Sequence, residues 1–108
     1  MIEASKETFR DLVSEGVTLV DVWGPACQPC LAMMPDVEKL ATERESAMKT
    51  IKIEAPTARR LMMELKVMGL PAFLLFQDGA EVDRLDGADV SVDGLRSWVD
   101  ETLAKINA

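Results

Sequence analysis

The apolar positions of this chain change their spacing several times, from the helical period to the continuous or alternating runs of strands. Phe9, Leu12 and Val13 have helical spacing, and Ser5 is the predicted N-cap of this first helix. The segment Val17–Trp23 is then almost continuously apolar and rich in β-branched residues. Such a run is typical of a strand that is buried on both faces, as in a parallel sheet.

The rest of the chain continues to alternate between helices and strands. After the two cysteines, apolar residues recur at helical spacing and predict an amphipathic helix that ends at about Ser46. Asp78-Gly79 is a strong signal for a hairpin turn. The remaining predicted elements are a strand at Ile51–Ile53, a helix at Ala58–Leu65, strands at Phe73–Phe76 and Glu81–Leu85, and a helix at Val92–Ile106.

The predicted elements run in the order α-β-α-β-α-β-β-α. A β-α-β unit followed by a hairpin and a helix predicts an α/β fold, with a central mixed β-sheet flanked by helices on both faces. The 108 residues have the length of one domain, and no linker or repeat divides them. We therefore expect a single domain over residues 1–108.

Composition and charge narrow the classes of partner. Of the residues, 48% are hydrophobic, yet no apolar run approaches the roughly 18–20 residues of a membrane span. The net charge of −7 argues against nucleic acid and against anionic membrane surfaces, because both attract lysine and arginine. The first residues lack the pattern of a secretory signal. We therefore expect a cytoplasmic protein. We also expect a monomer, an expectation that does not follow from composition or charge.

The chain has two cysteines, Cys27 and Cys30, and no histidine. One Cys-x-x-Cys pair gives two of the roughly four ligands that structural zinc requires, so a metal site needs carboxylates or a metal-bridged dimer. The disulfide framework of a small secreted domain has more cysteines at wider spacings. Redox chemistry is the better interpretation: the centre would be a Cys27–Cys30 disulfide, with no other cofactor and no metal.

The place of the pair between a strand and a helix gives the two sulfurs different roles. Cys27 lies where the chain enters the helix, and there the unpaired N–H groups and the macrodipole favour a thiolate. Pro29 fits the first turn, where its missing N–H removes no hydrogen bond. Cys30 can then attack a mixed disulfide. Cys27 is the predicted nucleophile and Cys30 the resolving thiol, unless the two are ordinary buried cysteines that happen to lie three apart.

Asp21 interrupts the apolar run of the second element, six residues before Cys27. A buried carboxylate tends to have a raised pKa. Such a group beneath the cysteines would take the proton of Cys30, directly or through a water, as the mixed disulfide resolves. The alternative is a solvated carboxylate at the end of the strand.

Several segments resemble the thioredoxin family, in the order and spacing of that family. Residues 20–30, Val-Asp-Val-Trp-Gly-Pro-Ala-Cys-Gln-Pro-Cys, resemble its active-site segment, and Pro35 matches a proline of its active-site helix. Residues 68–72, Met-Gly-Leu-Pro-Ala, resemble the segment with its cis-proline, and residues 87–88, Gly-Ala, resemble the pair that borders its substrate groove. The matches cover nearly the whole chain and imply the thioredoxin fold.

The resemblance implies a groove for disulfide-containing protein substrates, and a flavoprotein similar to thioredoxin reductase as electron donor. Pro71 would be cis and packed against Cys27 and Cys30, and Leu70 would offer backbone hydrogen bonds to an extended substrate segment. From the residues alone, Pro71 could equally be a trans proline that opens a strand. The predicted substrate-binding residues are Trp23, Pro25, Ala26, Gln28, Pro29, Leu70, Pro71, Gly87 and Ala88.

Four positions depart from the common pattern of the family. Ala26 replaces tryptophan, Gln28 replaces glycine and Leu31 replaces lysine. Thr50 stands in place of a lysine on the strand beside Asp21. Without both lysines, we expect the helix terminus to be the main stabiliser of the thiolate, and Asp21 to keep its proton easily. Residues 32–38 and 58–71 resemble atypical thioredoxins of anaerobic bacteria, some of which serve amino-acid reductases such as glycine reductase.

Two functions follow from these observations. The first is a protein-disulfide reductase, because Gln28 and Pro29 carry no charge that would stabilise the thiolate and make the pair an oxidant. The second is a thioredoxin-fold adaptor that docks a partner without turnover, which the departures around the cysteines favour. Reduction of insulin by the wild-type chain and by Cys27→Ser distinguishes them.

Overall fold

The computed structural model describes residues 1–108 as five strands and four α-helices. The strands are β1 (Ile2–Ala4), β2 (Val17–Trp23), β3 (Lys49–Glu54), β4 (Ala72–Gln77) and β5 (Ala80–Asp86). The helices are α1 (Phe9–Leu12), α2 (Gln28–Glu43), α3 (Arg59–Leu65) and α4 (Val92–Ile106), and a 3-10 helix spans Ala55–Thr57. None of the helices is long and apolar enough to cross a membrane.

The five strands form one sheet in the order β1-β3-β2-β4-β5. β1 and β2 run parallel to β3, whereas β4 is antiparallel to β2 and β5 is antiparallel to β4. β2 is therefore the central strand, and all of it except its two end residues is buried. This burial explains why its sequence is a nearly continuous apolar run. The sheet is mixed, as predicted.

Each face of the sheet carries its own hydrophobic cluster. Because side chains alternate along a strand, Val20 of β2 faces α1 and α3, whereas Leu19 faces α2 and α4. On the first face, the ring of Phe9 in α1 packs edge-on against Phe76, with centroids 5.6 Å apart. Helices therefore cover both faces, and the loops lie at the two ends of the strands.

The turn between β4 and β5 has the form that its sequence predicts. Gln77 pairs with Ala80, so Asp78 and Gly79 make a two-residue loop, and both have positive φ angles, 50° and 87°. The Asp78 carboxylate accepts a hydrogen bond from the Gly16 amide at 2.8 Å, which ties the turn to the start of β2. The turn therefore sets the register of β5 against β4 as far as Phe76, and beyond it an irregularity between Phe76 and Leu75 shifts the pairing by one residue.

The structure adds one strand to the sequence prediction and moves the ends of several elements. β1 is an extra strand, and its three residues at the sheet edge are too few to show a period. The predicted N-cap Ser5 lies one turn before α1: its Oγ accepts from the Thr8 amide at 3.3 Å, and Thr8 is the residue that precedes the helix. α2 ends at Glu43 rather than near Ser46, because residues 44–47 form a turn.

Candidate active site

The two cysteines lie at the N-terminus of α2 and form a disulfide, with their Cα atoms 5.3 Å apart. Cys27 is the N-cap residue, with extended backbone angles, and Pro29 lies in the first turn of the helix. The Sγ atom of Cys27 accepts a hydrogen bond from the Cys30 amide at 3.2 Å. Amides at a helix start have no intrahelical acceptor, so this one is placed to stabilise the Cys27 thiolate that forms when the disulfide is reduced.

The two cysteines differ in their exposure. Only 2% of the surface of Cys30 is exposed, whereas Cys27 is half-buried. The residues Pro25, Ala26 and Pro29 around Cys27 are exposed. A substrate disulfide can therefore approach the sulfur of Cys27 more easily than that of Cys30, in keeping with the predicted nucleophile and resolving thiol.

A second segment meets the cysteine loop at the same end of the sheet. Val22 pairs with Ala72 in the antiparallel β2–β4 ladder, so the start of β4 lies beside the end of β2. The Leu70–Pro71 peptide bond just before β4 is cis, as the resemblance implies. Gly24 follows β2, and a Cβ atom there would lie 3.2 Å from Cδ1 of Leu70. The backbone of the cysteine loop thus packs closely against Leu70.

β5 brings a third segment to this end. The Gly87 amide, just after β5, donates a hydrogen bond to the Pro71 carbonyl oxygen at 3.1 Å. Gly87 has a φ angle of 110°, which side chains rarely tolerate. The structure therefore brings the predicted substrate-binding residues together at one end of the sheet: Trp23, Pro25, Ala26, Gln28, Pro29, Leu70, Pro71, Gly87 and Ala88. Within this set, Pro71 is buried and Ala88 is exposed.

Asp21 is the buried carboxylate that the sequence predicts, with 1% of its surface exposed, which excludes a solvated strand end. It shares the face of β2 with Leu19, the face that α2 covers. Neither of its carboxylate oxygens has a hydrogen-bond partner in the protein. Burial raises the pKa of Asp21 to about 7, and the positive charge of Lys52 opposes this rise. Such a carboxylate can accept and release a proton near neutral pH.

The expectation that no lysine lies beside Asp21 is wrong. Asp21 is directly opposite Lys52 in the parallel β2–β3 ladder, and Thr50 lies two residues earlier along β3. The Nζ atom of Lys52 is also 5.8 Å from the centroid of the Trp23 ring. The strand register decides this pairing, and it was missed in the sequence. Its signal was a charged residue inside each of two neighbouring strands, Lys52 between two isoleucines and Asp21 between two valines.

An apolar cavity of about 440 Å³ adjoins this end of the sheet on the side of Leu70. Leu70 lines it together with Met63 and Met68, which are 78% and 94% exposed, and with Arg59. Methionine side chains are flexible and polarizable, so they adapt to partner surfaces of different shape. This surface was missed in the sequence, although Met63 lies off the apolar face of α3 and Met68 follows the end of that helix.

Comparisons with known proteins agree with this geometry. Residues 1–101 match the protein-family model described as Thioredoxin. The thioredoxin of Acetoanaerobium sticklandii is 34% identical over 101 residues, which cover 92% of this chain and 96% of that protein. The thioredoxin of Peptoclostridium acidaminophilum is 36% identical over 107 residues, covering 97% and 94%. That of Bacillus subtilis is 32% identical over 83 residues, covering 77% and 80%.

Proposed function

This chain belongs to the thioredoxin family and is a thiol-disulfide oxidoreductase, and we propose that Cys27 is its nucleophile and Cys30 its resolving thiol. The observation that carries this assignment is the unequal placement of the two sulfurs. Cys27 is half-buried and caps α2, where the Cys30 amide donates a hydrogen bond to its sulfur, whereas Cys30 is buried one turn later. A protein-disulfide reductase needs this asymmetry, because one thiol must meet the substrate and the other must release it.

In the reducing direction, the cycle begins with both cysteines reduced: Cys30 is a thiol, and Cys27 is a thiolate that has released its proton to water. The Cys27 thiolate attacks one sulfur of a substrate disulfide, forms a mixed disulfide with it, and expels the other substrate sulfur as a thiolate. Cys30 then loses its proton and attacks the Cys27 sulfur, which restores the internal disulfide and expels the second substrate thiolate. The protein loses two electrons, the substrate gains two, and each expelled thiolate takes up a proton.

We assign to Asp21 the proton that Cys30 loses in the second step. Support comes from the position of Asp21 on the sheet face that α2 covers, and from its two oxygens, which have no other partner. Its pKa of about 7 leaves part of the population ionised near neutral pH, ready to accept a proton directly or through a water. Lys52 adds to this readiness, because its positive charge favours the carboxylate.

Members of the thioredoxin family act on disulfide-containing proteins and receive electrons from a reductase. For this chain, we propose that an extended substrate segment lies across Leu70 and Pro71, bordered by the exposed residues Pro25, Ala26 and Ala88. A flavoprotein reductase would recharge the pair, and the amino-acid-reductase link of the atypical subgroup stays a prediction. We place the protein in the cytoplasm, because a dithiol used as a reductant must be kept reduced.

An adaptor without turnover is not favoured. The cysteine pair closes into a disulfide at an accessible helix start, so the chemical group for exchange is complete. Two relatives that match more than nine tenths of the chain are thioredoxins.

A metal-bridged dimer is a separate alternative. It would show as metal bound to protein purified with reductant, in proportion to the cysteine pairs.

Trapping of the mixed disulfide tests the roles of the two cysteines. The reduced variant Cys30→Ser should form a covalent adduct with a disulfide-containing protein, which dithiothreitol releases, because its nucleophile is present and its resolving thiol is not. The matched variant Cys27→Ser should form none. An adduct with Cys27→Ser alone would exchange the roles, and no adduct with either variant would contradict the exchange mechanism.

The direction of electron flow has its own test. The reduction potential of the pair can be measured in defined dithiol and disulfide buffers, with the free thiols counted by alkylation. A value near about −270 mV or lower supports a reductant, as for thioredoxin itself. A value above about −200 mV would place the protein among oxidants or isomerases and contradict both the direction and the cytoplasmic location.

A further inference from the structure

Arg84 of β5 reaches across to the C-terminal end of α3. Its Nη2 atom donates a hydrogen bond to the Leu65 carbonyl oxygen at 2.7 Å, and its Nη1 atom donates to the Lys66 carbonyl oxygen at 3.1 Å. The last carbonyl groups of a helix have no intrahelical donor. At this terminus Lys66 has a left-handed backbone, with a φ angle of 57°. The guanidinium therefore supplies donors at the point where the chain leaves the helix.

Glu81 fixes the orientation of this guanidinium. Its two carboxylate oxygens accept hydrogen bonds from Nε and Nη2 of Arg84, at 2.6 and 2.7 Å. The side chains of Arg84 and Glu81 are only 28% and 27% exposed, so water competes less than it does at an open surface. A planar, bidentate pair of this kind specifies direction as well as charge. The donors aimed at α3 are thus held rigidly on the sheet.

The segment that follows this clamp leads directly to the cysteine end of the sheet. Residues 67–70 connect Lys66 to Pro71, whose carbonyl oxygen is tied to the Gly87 amide. The segment is therefore held at both ends, by Arg84 of β5 at Lys66 and by Gly87, just after β5, at Pro71. Between these points the side chain of Met68 is almost wholly exposed, and Leu70 is half-buried against Gly24.

We propose that Arg84 is a positioning residue for protein substrates: it holds the Lys66–Leu70 segment so that Leu70 is presented correctly beside the cysteines. This inference rests on the proposed function, in which a substrate segment lies across Leu70 and Pro71. Arg84 touches neither cysteine, and it acts through the backbone of the segment. A protein substrate needs the groove and both cysteines, whereas a small disulfide needs the two cysteines but not the groove.

The test compares a protein substrate with a small one. Pre-reduced wild-type protein, Arg84→Met, Arg84→Lys and Arg44→Met are each mixed with increasing insulin, and separately with the small aromatic disulfide dithiobis(nitrobenzoate). Arg44 is the matched control, because it also forms a bidentate pair, with Asp100, at 2.9 and 3.1 Å, but contacts no part of the segment. Amide hydrogen exchange at residues 68–70 is recorded for the same proteins.

Arg84→Met should raise the half-saturating insulin concentration about fivefold, with a limiting rate within about twofold of wild type, as expected for the loss of hydrogen bonds that orient the segment. Reduction of the small disulfide should stay within about twofold of wild type. Exchange at residues 68–70 should accelerate. Arg84→Lys should recover part of the insulin effect, because it keeps one donor group, and Arg44→Met should behave as wild type.

An unchanged half-saturating insulin concentration in Arg84→Met would overturn the proposal. So would an equal loss with insulin and with the small disulfide, because the defect would then lie at the cysteines or in the fold. If Arg84→Met does not fold, Glu81→Gln replaces it: this variant keeps the donors but loosens their orientation, and it should shift the same concentration by a smaller factor. A wild-type chain that reduces neither substrate would instead refute the proposed function.

Discussion

Replacement of Asp21 by asparagine should increase the free energy of unfolding relative to wild type by an amount that grows as the pH rises. The Asp21 carboxylate is 1% exposed and has no hydrogen-bond partner, so its ionisation in the folded state is costly. Burial raises its pKa to about 7, even though Lys52 opposes the rise. The usual aspartate pKa is about 3.9, and the difference between the two values corresponds to on the order of 4 kcal/mol.

The sign follows from the number of protons that each state binds. Between the unfolded pKa near 4 and the folded pKa near 7, the folded state holds the Asp21 proton while the unfolded state has lost it. The free energy of unfolding therefore falls as pH rises through this window. Below the window the carboxyl is neutral in both states, so its ionisation costs nothing; above the window the whole cost of ionisation is present. Asparagine carries no charge at any of these pH values.

The assay is urea unfolding of the oxidised protein, wild type and Asp21→Asn, at about pH 4 and about pH 8. The advantage of Asp21→Asn in the free energy of unfolding should be about 4 kcal/mol larger at the higher pH. Taking the difference between the two pH values cancels the constant cost of exchanging a carboxylic acid for an amide. The exposed residue Asp36 of α2 provides a control variant, Asp36→Asn, which should show no such increase. A pH-independent advantage of Asp21→Asn would refute the reasoning.

Three further outcomes follow from the same structure. Asp21→Asn should slow the resolution of the mixed disulfide about 100-fold near neutral pH and leave the first attack nearly unchanged. Stopped-flow fluorescence with a protein disulfide measures the two steps, and equal slowing of both would contradict the proton-transfer role of Asp21. Lys52→Met should raise the pKa of Asp21 further, because it removes the positive charge that lowers this pKa. An NMR titration of the Asp21 carboxyl carbon measures the pKa, and an unchanged or lowered value would contradict the role of Lys52. Ser91→Ala should lower the free energy of unfolding in urea by about 1 kcal/mol, because the Ser91 side chain caps α4 by accepting a hydrogen bond from the Gly94 amide at 3.0 Å. The rate of insulin reduction should be unaffected, and a lower rate would link α4 to the groove.

The periodic elements could be predicted from the sequence because their buried positions are occupied by apolar residues at the spacing of a helix or a strand. β2 is buried on both faces and reads as an apolar run, and the Asp78-Gly79 turn adopts the backbone that its two residues favour. β1 shows no such pattern in the sequence, because it has three residues and two of them are exposed. It forms because β3 offers an unpaired edge. Its formation is a tertiary effect rather than a local preference.

In the candidate site, the residues adjacent in sequence were easier to predict than those brought together by strand register. The roles of Cys27 and Cys30 follow from a strand, a short loop and a helix, all within one segment. The pairing of Asp21 with Lys52 depends on the register of β2 against β3, and a single charged residue in each strand does not determine that register. The clamp of Arg84 on α3 likewise joins residues 18 and 19 positions apart across the fold.

Reduction of insulin disulfides with dithiothreitol as electron source tests the central claim most directly, with wild type and Cys27→Ser measured side by side. The account predicts that the wild-type chain accelerates the reaction well above dithiothreitol alone, and that Cys27→Ser falls to the rate of dithiothreitol. A Cys27→Ser variant as fast as wild type would contradict the account, because the half-buried sulfur at the start of α2 would then have no part in the exchange.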